Sequence, residues 1–168
     1  MKNANFLLLA FTMFALTNCA DAGAVADGTP ITSQEMQPLA TWVEAQTDVQ
    51  MPALPIGVAS GMQLKTTLGL DGVRQARAVA AYVPGRIVIN NVIWDPNDVV
   101  SQSYLVHELV HHAQLFSGRI YPCPEAKERE AYTLQNKFLV EHGESPVVDQ
   151  DWIDDISSCH ASSRQLSF

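Results

Sequence analysis

Basic residues are scarce in this chain: 10 lysines and arginines stand against 18 aspartates and glutamates, for a formal net charge of −8. They form no run, and phosphate binding rests on clustered Lys and Arg, so a nucleic-acid partner is not expected. Long apolar runs are scarce as well. The run Phe6 to Leu16 is too short to span a bilayer, and nothing later approaches the roughly 18 residues that a span requires, so no span is expected in the mature chain. Internal repeats, low-complexity tracts and an interdomain linker are all lacking, and 168 residues suit one domain.

The apolar run follows Lys2 and precedes small residues, which reads as a signal peptide over residues 1–26. Ala24-Val25-Ala26 is one cleavage site and Ala20-Asp21-Ala22 another. Leu16-Thr17-Asn18-Cys19 faintly resembles a lipoprotein signal with an atypical Asn, so soluble export, periplasmic or secreted, is favoured over a lipid anchor at Cys19. Residues 27–168 then form the domain. Of the 3 cysteines, Cys123 and Cys159 remain as a pair in an oxidising compartment and are expected to form a disulfide. They lack the close spacing of a thiolate zinc site. The late acidic residues Glu141, Glu144, Asp149, Asp151, Asp154 and Asp155 read as a solvated surface.

What the chain does carry is Tyr104-Leu-Val-His-Glu-Leu-Val-His-His-Ala-Gln114, which contains the HExxH pattern. On a helix His107 and His111 project about 40° apart and can reach one metal ion, while Glu108, about 100° away, can touch a water on that ion without being a ligand. The flanking wheel is apolar on two sides, with Val99, Val106, Val110 and Ala113 on one and Leu105, Leu109 and Phe116 on the other. A helix over 97–117, buried on most of its surface, is therefore expected. Asp95 is its expected N-cap, Pro96 its first residue and Gly118 its stop. His112 falls nearer the leucine side, as a packing or supporting residue.

Upstream, Ile31-Thr32-Ser33-Gln34-Glu35 reads as a capped helix start, with Met36, Leu39, Ala40 and Val43 at helical spacing. Residues 51–70 suggest loops and a short strand. Ala76 to Val83 and Arg86 to Ile93, separated by Pro84-Gly85, read as a β-hairpin. Downstream, a second helix starts near Pro124 and ends at His142-Gly143; Glu128, Ala131, Tyr132, Gln135, Phe138 and Leu139 share one stripe on it.

Catalytic zinc takes three protein ligands as a rule, and a glutamate on an apolar stripe needs a charge partner, so Glu128 is the expected third ligand. Glu125 follows the same stripe one turn earlier, and Glu130 points toward Leu134 and Lys137 as a solvated helix charge; with His112, His142 and Asp95 they are the alternatives. His107-Glu108-Leu109-Val110-His111 followed by Glu128-Arg129-Glu130-Ala131-Tyr132 resembles the gluzincin metallopeptidases. In that group a downstream helix supplies a ligating Glu, often with a small residue three positions on, where this chain has Ala131. An Asp four positions on often orients the first His, and here Tyr132 stands in its place.

The resemblance covers about residues 86–140. It implies an α+β, zincin-like fold: an active-site helix and an adjacent Glu-bearing helix packed on a small antiparallel sheet, with an N-terminal helix. It also implies a Zn2+-dependent peptidase in which Glu108 is the general base that activates water, acting on a peptide or protein substrate. Tyr132, Tyr121, Tyr104, His112 and Arg119 are the candidate oxyanion donors. An exposed edge on the strand Arg86 to Ile93 would allow strand addition by an extended peptide. Two other readings compete: a non-catalytic zinc-containing binding module of the cell envelope, and a zinc hydrolase of a non-peptide amide.

Overall fold

The computed structural model describes residues 25–69 and 79–159. Residues 1–24 of the expected leader, with Cys19, the first residues of the expected hairpin strand (76–78) and His160 lie outside them. In chain order the elements are β1 (Thr29–Ile31), α1 (Ser33–Thr47), β2 (Ile56–Ala59), α2 (Gly61–Leu68), β3 (Ala80–Val83) and β4 (Arg86–Ile89). These are followed by α3 (Val99–Phe116), a 3-10 turn (Pro124–Lys127), α4 (Glu128–Glu141) and α5 (Gln150–Ile156). The fold is α+β, with a small sheet and, among the described residues, five α-helices.

The sheet is mixed rather than antiparallel, in the order β1-β2-β4-β3. β1 runs antiparallel to β2, β2 parallel to β4, and β4 antiparallel to β3. After α2 the chain re-enters the sheet as β3, antiparallel to β2, and the Pro84-Gly85 turn then reverses it, so that β4 lies beside β2 and parallel to it. β4 is therefore interior, and among the described strands the edges are β1 and β3.

Both faces of the sheet are covered, which explains why β4 reads as an unbroken apolar run. Ile87 and Ile89 join Ile31, Met36, Val43, Leu105, Leu109 and Phe138 in the main core, whereas Val88 turns the other way to meet Val58, Leu64 and Ala81 under α2. The side of β2 that faces α1 carries Gly57. A Cβ there would lie 2.7 Å from Met36 Cε and 2.8 Å from Ile31 Cβ, so the glycine permits the close approach of helix to sheet.

α1 begins with a reciprocal cap between Thr32 and Glu35, as its sequence signals. The metal-motif helix starts later than expected. Asp98, not Asp95, is the N-cap, its carboxylate accepting from Ser101 N at 2.7 Å, and Pro96 lies outside the helix. Asp95 instead closes the preceding turn, accepting from Asn97 N at 2.8 Å. Trp42 packs edge-on against Phe138, and its indole donates to Glu141, tying α1 to α4. Among the described residues no helix is long and apolar enough to cross a membrane.

Candidate metal centre

α3 and α4 lie side by side, and the buried Ala131 leaves room for their close approach at the level of the motif. The apolar stripes of α3 rotate His107, Glu108 and His111 toward α4, whose own stripe delivers Glu128. Three donor atoms converge there: His107 Nε2 and His111 Nε2 are 3.2 Å apart, and the two carboxylate oxygens of Glu128 lie 3.3 Å from the first and 3.4 Å from the second. Zinc bonds of about 2.0–2.1 Å at a tetrahedral angle require donors roughly 3.3 Å apart. The observed separations fit that requirement, with one carboxylate and two imidazoles as the donor set.

The orientation of both imidazoles is set by side-chain amides. Gln114 Nε2 donates to Lys127 O at 3.0 Å and to the Glu130 carboxylate at 3.2 Å, partners that only accept. Its Oε1 must therefore face His111 Nδ1, 3.0 Å away, and receive a hydrogen from it. On the other side the Ser103 hydroxyl donates to Val100 O at 2.7 Å and accepts from Gln135 Nε2 at 3.2 Å. This turns Gln135 Oε1 to His107 Nδ1 at 3.1 Å. Each histidine thus carries a hydrogen on Nδ1 and turns Nε2 toward Glu128, so that loss of the Nε2 proton leaves the state in which an imidazole ligates a metal.

Charges answer the same geometry. Burial would push the Glu128 carboxyl up, but its hydrogen bonds with the two histidines outweigh burial and hold it down at about 2. Burial would lower His111, yet the hydrogen bond to Glu128 and the charge of Glu108 raise it above its ordinary value. Glu108 is raised, first by burial, with the neighbouring histidines opposing in part. Tyr132, its ring 4.3 Å from that of His107, is pushed up to about 12 by burial and then by the charges of Glu128 and Glu108, so its hydroxyl keeps its proton.

The remaining expected residues separate cleanly. Glu130 is not a solvated helix charge: it pairs with Arg119 at 2.6 Å, meets Tyr121 at 3.4 Å and holds Gln114, which places it behind His111. Arg119 and Tyr121 are thereby committed to Glu130. His112 donates from Nε2 to Ala53 O at 2.8 Å, and its Nδ1 meets the Tyr82 hydroxyl at 3.0 Å, a clamp between α3, the 51–55 loop and β3. His142 bonds to Phe138 O at the end of α4. Of the candidate oxyanion donors, Tyr104 and Tyr132 line a cavity together with His107 and Glu108. Glu125 lines a second, adjoining cavity with Glu128.

The sequence places Ser103 and Gln114 in the same helix sector as His107 and His111 without giving them a task, and it does not assign Gln135 or Trp152 to the site. Gln135 stands seven positions after Glu128 on the same stripe, and Gln114 three after His111, so their facing was visible although their task was not. Trp152, on α5, borders both cavities. Cys123 and Cys159 are disulfide-bonded, with Cα atoms 5.6 Å apart, joining the start of the Glu128-bearing segment to the end of α5.

A sequence profile described as a domain of unknown function (DUF6647) matches residues 29–166. No curated protein and no solved structure matches the chain.

Proposed function

The chain belongs to the domain of unknown function family DUF6647, and from that premise and the site's geometry we propose that it is an exported zinc-dependent metallopeptidase. The observation that carries this reading is the convergence of His107, His111 and Glu128 at zinc-ligand separations, each histidine turned by an amide to offer Nε2.

These three residues would hold the ion; when bound, zinc supplies Lewis acidity toward water and a substrate carbonyl. Glu108 lines both adjoining cavities and is not needed as a fourth donor, so its carboxylate is free to move a proton. It takes the proton from the attacking water at a carboxylate oxygen and returns it to the departing amine. Its buried setting raises its affinity for that proton, bringing acceptor and donor roles closer in energy. Tyr132, which stays protonated, and Tyr104 stand where a phenol can donate to a developing oxyanion.

The edge strand supplies the place for the substrate chain. In the β3–β4 ladder Val83 faces Arg86 across the Pro84-Gly85 turn, and Asn90 N donates to Val79 O. The alternation of such a ladder turns the backbone groups of Ala80 and Tyr82 outward, and Ala80 borders both cavities. An extended peptide can pair there, a role the sequence assigned conditionally to Arg86–Ile93. The disulfide supports export to an oxidising compartment. Glu108 and the open cavities beside it favour an enzyme over a module with purely structural zinc, which has no use for a proton-moving carboxylate.

The test begins with elemental mass spectrometry of purified protein prepared without chelators. About one zinc per parent chain is expected, with loss in Glu128→Ala and retention in Glu108→Gln. Peptide turnover should be present in the parent and absent in Glu108→Gln. A parent that takes up no zinc, or zinc-loaded parent and Glu108→Gln proteins that behave alike toward a peptide library, would remove the peptidase reading.

A further inference from the structure

Beside Glu108 opens a cavity of about 310 Å³ whose other walls are mainly apolar: Val79, Tyr104, Tyr132, Val147, Val148 and Trp152. Its outer wall is the stretch 147–152, part of a segment acidic enough to be left in solvent. The stretch is instead tied down in independent ways. Asn136 accepts from Val147 N at 3.0 Å and donates to Val148 O at 2.8 Å. Arg129 pairs with Asp154, Ile153 is buried, and Cys159 is bonded to Cys123. Trp152 rests edge-on against Tyr132, ring centroids 4.8 Å apart, and Tyr132 in turn leans on His107. A tryptophan, itself 41% exposed, is thus held over the reaction centre with one face left open.

We propose that this cavity receives one bulky apolar side chain of the substrate, beside the bond to be cleaved, and that Trp152, Val147 and Val148 determine that preference. Resting on the peptidase reading, this narrows the substrate class to peptides with a Leu-, Met- or Phe-sized residue at one position. The volume lies at the bottom of the roughly 300–1,000 Å³ range of ligand pockets, enough for a side chain and not for a folded partner. Apart from His107 and Glu108 of the centre itself, its lining holds no acidic or basic side chain, so a charged substrate residue would shed water against valine and tryptophan without gaining a matched set of partners. The backbone of the same peptide passes into the second cavity, about 520 Å³, which shares His107, Glu108, Tyr132 and Trp152 with the first.

Zinc-loaded Glu108→Gln protein would be titrated by calorimetry with neutral hexapeptides in which each position in turn is Ala, Leu, Phe, Asp or Lys. At one position Leu and Phe are expected to bind about 10- to 200-fold more tightly than Ala, the range a few buried methylenes supply. Adding Trp152→Ala or Val148→Ser should erase most of that advantage, read as the ratio of Leu or Phe to Ala binding within each variant, while Trp152→Phe restores it. Retained zinc in each variant shows that the fold survives. No apolar preference at any position, or one that persists in both Trp152→Ala and Val148→Ser, overturns the proposal. If the parent fails to cleave peptides that Glu108→Gln holds tightly, the peptidase reading falls and the pocket stands; cleavage without apolar preference gives the reverse.

Discussion

Two glutamine side chains decide which nitrogen each histidine offers, and neither touches the space between the donors. Gln135→Leu and Gln114→Leu should each weaken zinc binding about 10–100-fold, the usual effect of removing a group that orients a ligand. Competition against a chromophoric chelator measures this, and unchanged affinity in both variants would show that packing alone holds the rings. The stripped protein has its own signature. His111 is raised above its ordinary 6.5, so its pairing stabilises the fold fully below pH 6.5 and is lost as the pH climbs through the raised value. Glu128, held at about 2 against an ordinary 4.5, contributes above pH 4.5 and loses its contribution as the pH falls toward 2. The stability advantage of metal-free parent over metal-free Glu128→Gln should therefore peak between about pH 4.5 and 6.5 in urea titrations and shrink on either side. At this scale His107, Glu108 and His111 are legible because two imidazoles four residues apart with an intervening glutamate have few uses on a helix. Glu128 is legible because a lone carboxylate on an apolar stripe needs a cation. A glutamine on the same stripe needs only hydrogen bonds, which any buried amide finds, so Gln114 and Gln135 carried no signal of their task.

Among the elements, the sharpest constraint is the contact of α1 with β2. Gly57→Ala places its methyl within 2.8 Å of Ile31 Cβ, on the strand paired with β2. A loss of about 1–3 kcal/mol is expected, read as a lower urea midpoint. Asp98→Ala removes the cap of α3 and should cost about 1 kcal/mol, while Asp95→Ala should leave the start of that helix in place. The long helices were legible because fifteen or so residues repeat a pattern several times over. β1, with three residues, has no room for a period. α2 has Gly61 at its start and Thr66 and Thr67 in its last turn, weak helix formers, and the burial of Leu64 against Val58, Ala81 and Val88 outweighs their propensity. In α5 the apolar signal, Trp152, Ile153 and Ile156, is matched in number by the acids Asp151, Asp154 and Asp155, and Asp149, which caps it, looks like one more surface charge. The parallel pairing of β2 with β4, strands separated in sequence by α2 and β3, is a tertiary choice with no local pattern to announce it, so the reading of an antiparallel sheet failed there.

For the whole molecule, the disulfide is the longest covalent tie, with a sequence separation of 36 residues. Closing a loop of that size stabilises on the order of 4 kcal/mol through the unfolded chain. Changing both Cys123 and Cys159 to Ser should lower the urea midpoint accordingly while leaving zinc affinity near that of the parent. The donors do not depend on the bridge: His107, His111, Glu128 and both orienting amides all fall between Ser103 and Gln135, in a single helical hairpin. The walls that face them come from elsewhere in the chain, Val79 to Tyr82 on one side and Val147 to Ile156 on the other. On the proposed reading, holding the ion and choosing what is brought to it are therefore inherited as separate stretches of text. Mutation in either wall can redirect the cleft to a new partner while the hairpin between them is passed on unaltered.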